Sequence, residues 1–186
     1  MAVLFDLLDE STRPKAPAIP GATPAHRVHG QRLALFHGMH LAQIERIEAL
    51  LAAIEAGAAP PEALGARLRD LDMASNYRLF GSLCGRECQY LTFHHTGEDE
   101  QIFPVLMQGS AGLRAVVERL SEEHKVIHAI LEELEAGAAA LIASPDAEAF
   151  GRVRDAFVVL ARVVRSHFGY EQTELAEALG VYRIPL

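Results

Sequence analysis

The stretch His94-His95-Thr96-Gly97-Glu98-Asp99-Glu100-Gln101-Ile102-Phe103-Pro104 carries a histidine and a glutamate four residues apart. Four residues is just over one helical turn, so His94 and Glu98 share a face. The same spacing returns in His167-Phe168-Gly169-Tyr170-Glu171 and in the pair His124 and His128, while His37 and His40 stand three apart. Each group interrupts a line of residues recurring at three and four. The lines read Leu33, His37, His40, Ile44, Ile47, Leu51, Ile54; then Tyr77, Cys84, Cys88, Leu91, Glu98, Ile102; then Val117, Leu120, His124, Ile127 or His128, Leu131, Leu134; and last Val153, Phe157, Leu160, Val164, His167, Glu171, Leu175. This is the period of amphipathic helices, with no strand-like alternation to compete.

Glycine, proline and other breakers collect at Gly57–Pro61, Gly109–Gly112 and Ser144–Asp146. They predict four helices: about Gly30 to Glu55, a second ending near Met107 after a candidate short helix at Pro61–Leu71, about Ala111 to Ile142, and about Ala147 to Leu179. Short connections favour antiparallel neighbours, so the expected fold is all-α, an antiparallel up-down-up-down four-helix bundle. Upstream, Pro14, Pro17, Pro20 and Pro24 interrupt any helix and set the apolar segment Val3 to Leu8 apart. The expected organisation is an N-terminal extension over 1–27, the bundle over 28–181 and a short tail over 182–186.

Composition narrows the setting. The 186 residues suit one domain with a real core. Acidic residues outnumber Lys plus Arg by 25 to 17, and the basic residues are scattered, which argues against a nucleic-acid footprint. No apolar run approaches the roughly 20 residues of a membrane span, and the acidic start, with Asp6, Asp9 and Glu10, is unlike a secretory signal. Cys84 and Cys88 read as small buried residues kept reduced. A cytoplasmic protein is expected.

The polar residues within the apolar lines converge. In an up-down-up-down bundle, His37 and His40 lie roughly 8 to 11 residues from one end, and His94, His124 and His167 roughly 12 to 14, at about 1.5 Å per residue. Burying such groups without partners costs a few kcal/mol each, against a net stability of about 5 to 15 kcal/mol. A mutually hydrogen-bonded layer without metal is one solution; a metal centre is the other. One structural zinc needs about four ligands, fewer than are present. Five histidines and two bridging carboxylates supply about nine positions, an oxo or hydroxo bridge adds about two, and two octahedral irons need about twelve, leaving one open.

The run His94-His95-Thr96-Gly97-Glu98-Asp99 with Ile102-Phe103-Pro104, together with Glu123-His124, His128 and His167-Phe168-Gly169-Tyr170-Glu171, resembles the hemerythrin-like HHE-domain proteins over about residues 30 to 180. The resemblance implies a di-iron four-helix bundle, with His94, His124, His128 and His167 as terminal ligands and Glu98 and Glu171 as bridges. His37 and His40 both fit the first-helix ligand position, with His37 the preferred one. His95 departs from oxygen-carrying hemerythrins, where an aromatic residue often follows the ligand histidine, and is expected to support the ligands from behind or to serve structure. Asp99 and Glu100 read as a solvated face, Phe168 as core packing, and His26 and His29 as surface residues. Gly97 and Gly169 either leave room for the centre or serve helix packing.

The implied activity is binding of, or reaction with, dioxygen, hydrogen peroxide or nitric oxide, including a catalase- or peroxidase-like enzyme. The alternative is an iron or oxygen sensor with a coordinatively closed site, working through a partner protein or a homodimer formed by the N-terminal segment. Ferritin-like Glu-x-x-His pairs are excluded, since Leu91, Ser121 and Val164 stand three residues before His94, His124 and His167. No His-Glu-x-x-His run or glycine-rich phosphate loop occurs.

Overall fold

A computed structural model of the chain describes residues 9–56, 86–144 and 146–186, without the side chains of residues 86–90 and 142. The candidate short helix at Pro61–Leu71, the first break, the apolar segment Val3 to Leu8, and the side chains of Tyr77, Cys84 and Cys88 lie outside these residues. The described residues are all-helical, with no strand. A 3-10 turn at Glu10–Thr12 leads to α1 (Pro24–Gly30) and α2 (Leu33–Glu55). Then come α3 (Arg86–Gly97), a π-helical turn at Glu98–Ile102, α4 (Phe103–Leu106), α5 (Ala111–Ala143) and α6 (Ala147–Val181). With α3, the π turn and α4 counted as one helix, the four expected helices are present. None is long and apolar enough to cross a membrane.

The described residues of the apolar lines are buried, except Ile47, Ile102 and His128, which are half-buried. Leu33, Ile44, Leu51 and Ile54 point inward from α2, as do Val117, Leu120, Ile127, Leu131 and Leu134 from α5 and Val153, Phe157, Leu160, Val164 and Leu175 from α6. The chain forms two compact units. The first takes in the described residues of Met1–Met39, with His94–Val126 and Val163–Leu186; the second takes in those of His40–Phe93, with Ile127–Arg162. The first unit has its own core of Leu33, Phe103, Leu106, Val117, Leu120 and Leu179 with their neighbours. Ile44, Leu51, Leu131, Leu134, Phe157 and Leu160 are buried in the second.

Two local features shape the first unit. Pro104 has no N–H and its ring clashes with the carbonyl four residues back, which an α-helix does not tolerate. The backbone responds with the π turn, in which the Phe103 N–H donates to the Glu98 carbonyl five residues earlier. At the other end, α1 crosses α6 backbone to backbone. A β-carbon on Gly30 would collide with the Ala176 backbone, and one on Gly180 with that of His26. Glycine is required at both.

The segment before α1 is held against the first unit. Ala16 N–H donates to Glu174 Oε2 at 2.7 Å and Ile19 N–H to Glu177 Oε1 at 2.6 Å. Arg27 closes on Glu177 at 2.7 Å. Thr23 and His26 form a reciprocal capping box at the start of α1, and the His29 ring is 2.7 Å from the Ile184 carbonyl. Both histidines are half-buried, because local hydrogen bonding holds them where a surface position was expected.

Candidate metal centre

The π turn begins at the residue that matters most. Residues three and four positions apart are neighbours on a helix, so His94 and His95 flank Glu98 from either side one turn earlier. The three side chains therefore point into the first unit together. His95 is fully buried, Glu98 is 2% exposed, and His94 is half-buried. From α2 comes His37, from α5 His124, and from α6 His167 and Glu171, all buried.

These side chains form two donor groups that could each hold a metal ion. One is His95, His124 and His167; the other is His37, His94, Glu98 and Glu171. Within each group one ligand atom per residue lies within 4.8 Å of the others. The carboxylates face both groups. Glu98 Oε1 is 3.3 Å from His94 Nε2, while its Oε2 is 3.5 Å from His124 Nε2. Glu171 Oε2 is 3.2 Å from His37 Nε2 and 3.9 Å from His167 Nε2.

The donor atoms suit a cation. Both Glu98 oxygens and the Nε2 atoms of His124 and His167 are buried and make no hydrogen bond. Unpaired buried polar atoms are costly, and a metal ion would satisfy these. Two nitrogens about 2.1 Å from a common metal at right angles lie about 3.0 Å apart. His37 Nε2 and His94 Nε2 are 3.1 Å apart.

Three of the rings are fixed through the opposite nitrogen, the usual arrangement behind metal-binding histidine. His124 Nδ1 is 3.0 Å from Asp99 Oδ2, His167 Nδ1 is 3.1 Å from Glu123 Oε2, and His37 Nδ1 is 2.7 Å from the Gln172 side-chain amide. Asp99 also accepts from Ser121 Oγ at 2.8 Å. Face to face, Phe168 covers His37 at a centroid distance of 3.8 Å, and His95 stacks on His124 at 4.0 Å.

The two carboxyls are shifted in opposite directions. Burial pushes Glu98 well above the usual carboxylate range, and the neighbouring Glu171 and Asp99 reinforce the shift. Burial would raise Glu171 too, but contact with His37 and the fields of His37, His167 and His94 outweigh it and hold Glu171 below that range. His167 is lowered, first by burial and then by His124, against the opposing pull of Glu123.

The expected ligands His37, His94, Glu98, His124, His167 and Glu171 are therefore brought together. His40 and His128 are in neither donor group; both belong to the second unit, His40 buried and His128 half-buried. A helical step of four advances a side chain about 6 Å along the axis, so same-face spacing does not guarantee one level. His95, expected outside the ligand set, completes the three-histidine group. Its signal was available: it stands three residues before Glu98, as close a neighbour as His94. Asp99 and Glu123 had no such signal; Asp99 is exposed, as a solvated face is, and also reaches His124.

A family model described as the hemerythrin HHE cation-binding domain matches residues 30–179. The chain belongs to the hemerythrin HHE family. No curated protein and no solved structure showed a match to it. The match to the HHE domain spans the part of α1 beginning at Gly30 and runs through α6 almost to its end, taking in all seven donor residues of the two groups.

Proposed function

We propose that this HHE domain holds two iron ions joined by an oxo or hydroxo bridge, and binds or reacts with a small oxidant: dioxygen, hydrogen peroxide or nitric oxide. The observation that carries this reading is that Glu98 and Glu171 each approach a histidine of both donor groups. His95, His124 and His167 would serve one ion and His37 and His94 the other, with both carboxylates shared. Five histidines and two shared carboxylates give about nine positions of the twelve that two octahedral ions need, and a bridging oxygen leaves one open. Iron held there would supply a reversible change of oxidation state and that open position for a small ligand.

The chain's own residues set the rest. His37 and His94, the group with fewer histidines, would leave the open position to a small ligand, and the His94 side chain, 15% exposed, is the one nearest solvent in its group. Phe168 shields the face of His37 from water. Asp99, Glu123 and Gln172 keep three rings from turning. We further infer that the helices alternate up and down, since this topology brings the histidines of all four to one level, and that the protein works in the cytoplasm, without membrane or nucleic acid. The second reading is a closed centre that reports iron or oxygen to a partner protein; the N-terminal segment held against the first unit favours it.

Protein purified aerobically from iron-replete cells is expected to carry close to two irons per chain, and azide is expected to change the visible spectrum of the oxidised form. One zinc and no iron would refute the di-iron reading. Two irons with no azide response would favour the closed centre.

A further inference from the structure

Arg13 stands before Pro14, which disfavours helical backbone at the preceding residue. Its φ of −70° and ψ of 128° are extended. From that backbone the side chain turns inward until only 4% of it is exposed, against a Glu123 side chain that is fully buried. The guanidinium forks onto the carboxylate, Nε to Oε1 at 2.8 Å and Nη2 to Oε2 at 3.0 Å. Nη1 donates to Ser166 Oγ at 2.9 Å and to the Ser166 carbonyl at 3.3 Å. Its carbon lies 4.7 Å from the centroid of the Tyr170 ring, whose hydroxyl donates to the Pro14 carbonyl at 2.8 Å.

The same Glu123 Oε2 faces His167 Nδ1 at 3.1 Å. A carboxylate gripped by a guanidinium accepts only, so the ring donates from Nδ1 and presents its lone pair on Nε2. That Nε2, like the Nε2 of His124, is a buried atom of the three-histidine group that makes no hydrogen bond.

We propose that Arg13 is a positioning residue of the metal centre: through Glu123 it fixes the tautomer and ring plane of His167, and so governs how firmly the three-histidine group keeps its metal. The inference rests on the metal-centre reading above. An anchor alone would not need this design, because buried ion pairs add little net stability over apolar contacts of the same shape. The segment already has anchors with no route to the centre, at Glu174 and Glu177.

The test compares full-length wild type with Arg13→Ala, Arg13→Lys and the control Glu174→Ala. Nitrogen-15 NMR of the metal-free proteins reads the His167 tautomer, and chelator competition on iron-reconstituted protein reads the rate of metal loss. Arg13→Ala is expected to mix the tautomers and to speed iron loss about 10- to 100-fold, the scale of outer-shell effects. Arg13→Lys keeps the charge but not the fork and is expected to fall between. Glu174→Ala should lower the melting temperature while changing neither readout.

An unchanged tautomer and release rate in Arg13→Ala, with only a lower melting temperature, would reduce Arg13 to an anchor. If Arg13→Ala does not fold, the same two readouts on Arg13→Lys decide in the same way. If wild type takes up no metal, the reading of the centre fails, while the NMR comparison still decides whether Arg13 governs His167.

Discussion

Burial disfavours the charged form of a carboxylic acid, and it shifts Glu98 well above the usual carboxylate range beside a Glu171 held below that range. The fold thus binds a proton that the unfolded chain releases once the pH exceeds the ordinary carboxylate value, so metal-free stability declines as pH rises from there toward the raised value of Glu98. Glutamine is neutral at every pH and nearly the same shape. Metal-free Glu98→Gln is therefore expected to melt above metal-free wild type near pH 7, by roughly 1 to 3 kcal/mol of stability. The gap should close below the ordinary carboxylate range. The same variant should lose most of its iron, whereas Asp99→Asn should keep its iron but release it faster, as an outer-shell partner does. Thermal melts and metal analysis across pH check both; equal melting of the two metal-free proteins at pH 7 would show that Glu98 is not protonated in the fold.

At the scale of elements, the glycines separate into two classes. Gly30 and Gly180 mark the crossing of α1 and α6, where a β-carbon meets backbone that cannot move aside. Gly30→Ala is expected to destabilise by about 1 to 3 kcal/mol or more, as overpacking does. Gly97 and Gly169 have open space where a β-carbon would stand. No described protein atom requires glycine there for helix packing, and alanine at either should be neutral or stabilising by about 0.5 to 1 kcal/mol through helix propensity. Chemical denaturation of the four alanine variants checks this contrast in sign. A Gly97→Ala variant as damaged as Gly30→Ala would mean that α3 needs glycine at position 97 for a reason other than space.

At the scale of the molecule, all seven donor residues belong to one of the two compact units, although α2, α5 and α6 each give residues to both. A metal that binds only the folded site stabilises it by mass action, by about 4 kcal/mol at a thousand times its dissociation constant. Removing metal is therefore expected to lower amide protection first in the first unit, around His94–Val126 and from Val163 onward. Ile127–Arg162 should change less. Hydrogen exchange on metal-loaded and chelated protein reads this directly. A uniform loss along α5 and α6 would instead mean that the chain opens as one cooperative whole.

Periodicity alone determined that the chain is helical and which faces are buried, because burial repeats at the helical period in every described line. It also singled out six of the seven residues of the two groups: His37, Glu98, His124, His167 and Glu171 interrupt apolar lines, and His94 stands four residues before Glu98. What periodicity lacks is depth and azimuth beyond one turn. His40 and His128 share faces with donors yet are in neither group, and His95 enters because two adjacent residues can flank a third that follows one turn later. Asp99, Glu123 and Arg13 lie further from what sequence can show. Their partners are 25, 44 and 110 residues away, and hydrogen bonds across such separations exist only once the helices have packed. The sequence determined which polar side chains stand out of place on apolar lines, and the tertiary structure decided which of them gather into groups that could hold a metal and what keeps their rings from turning.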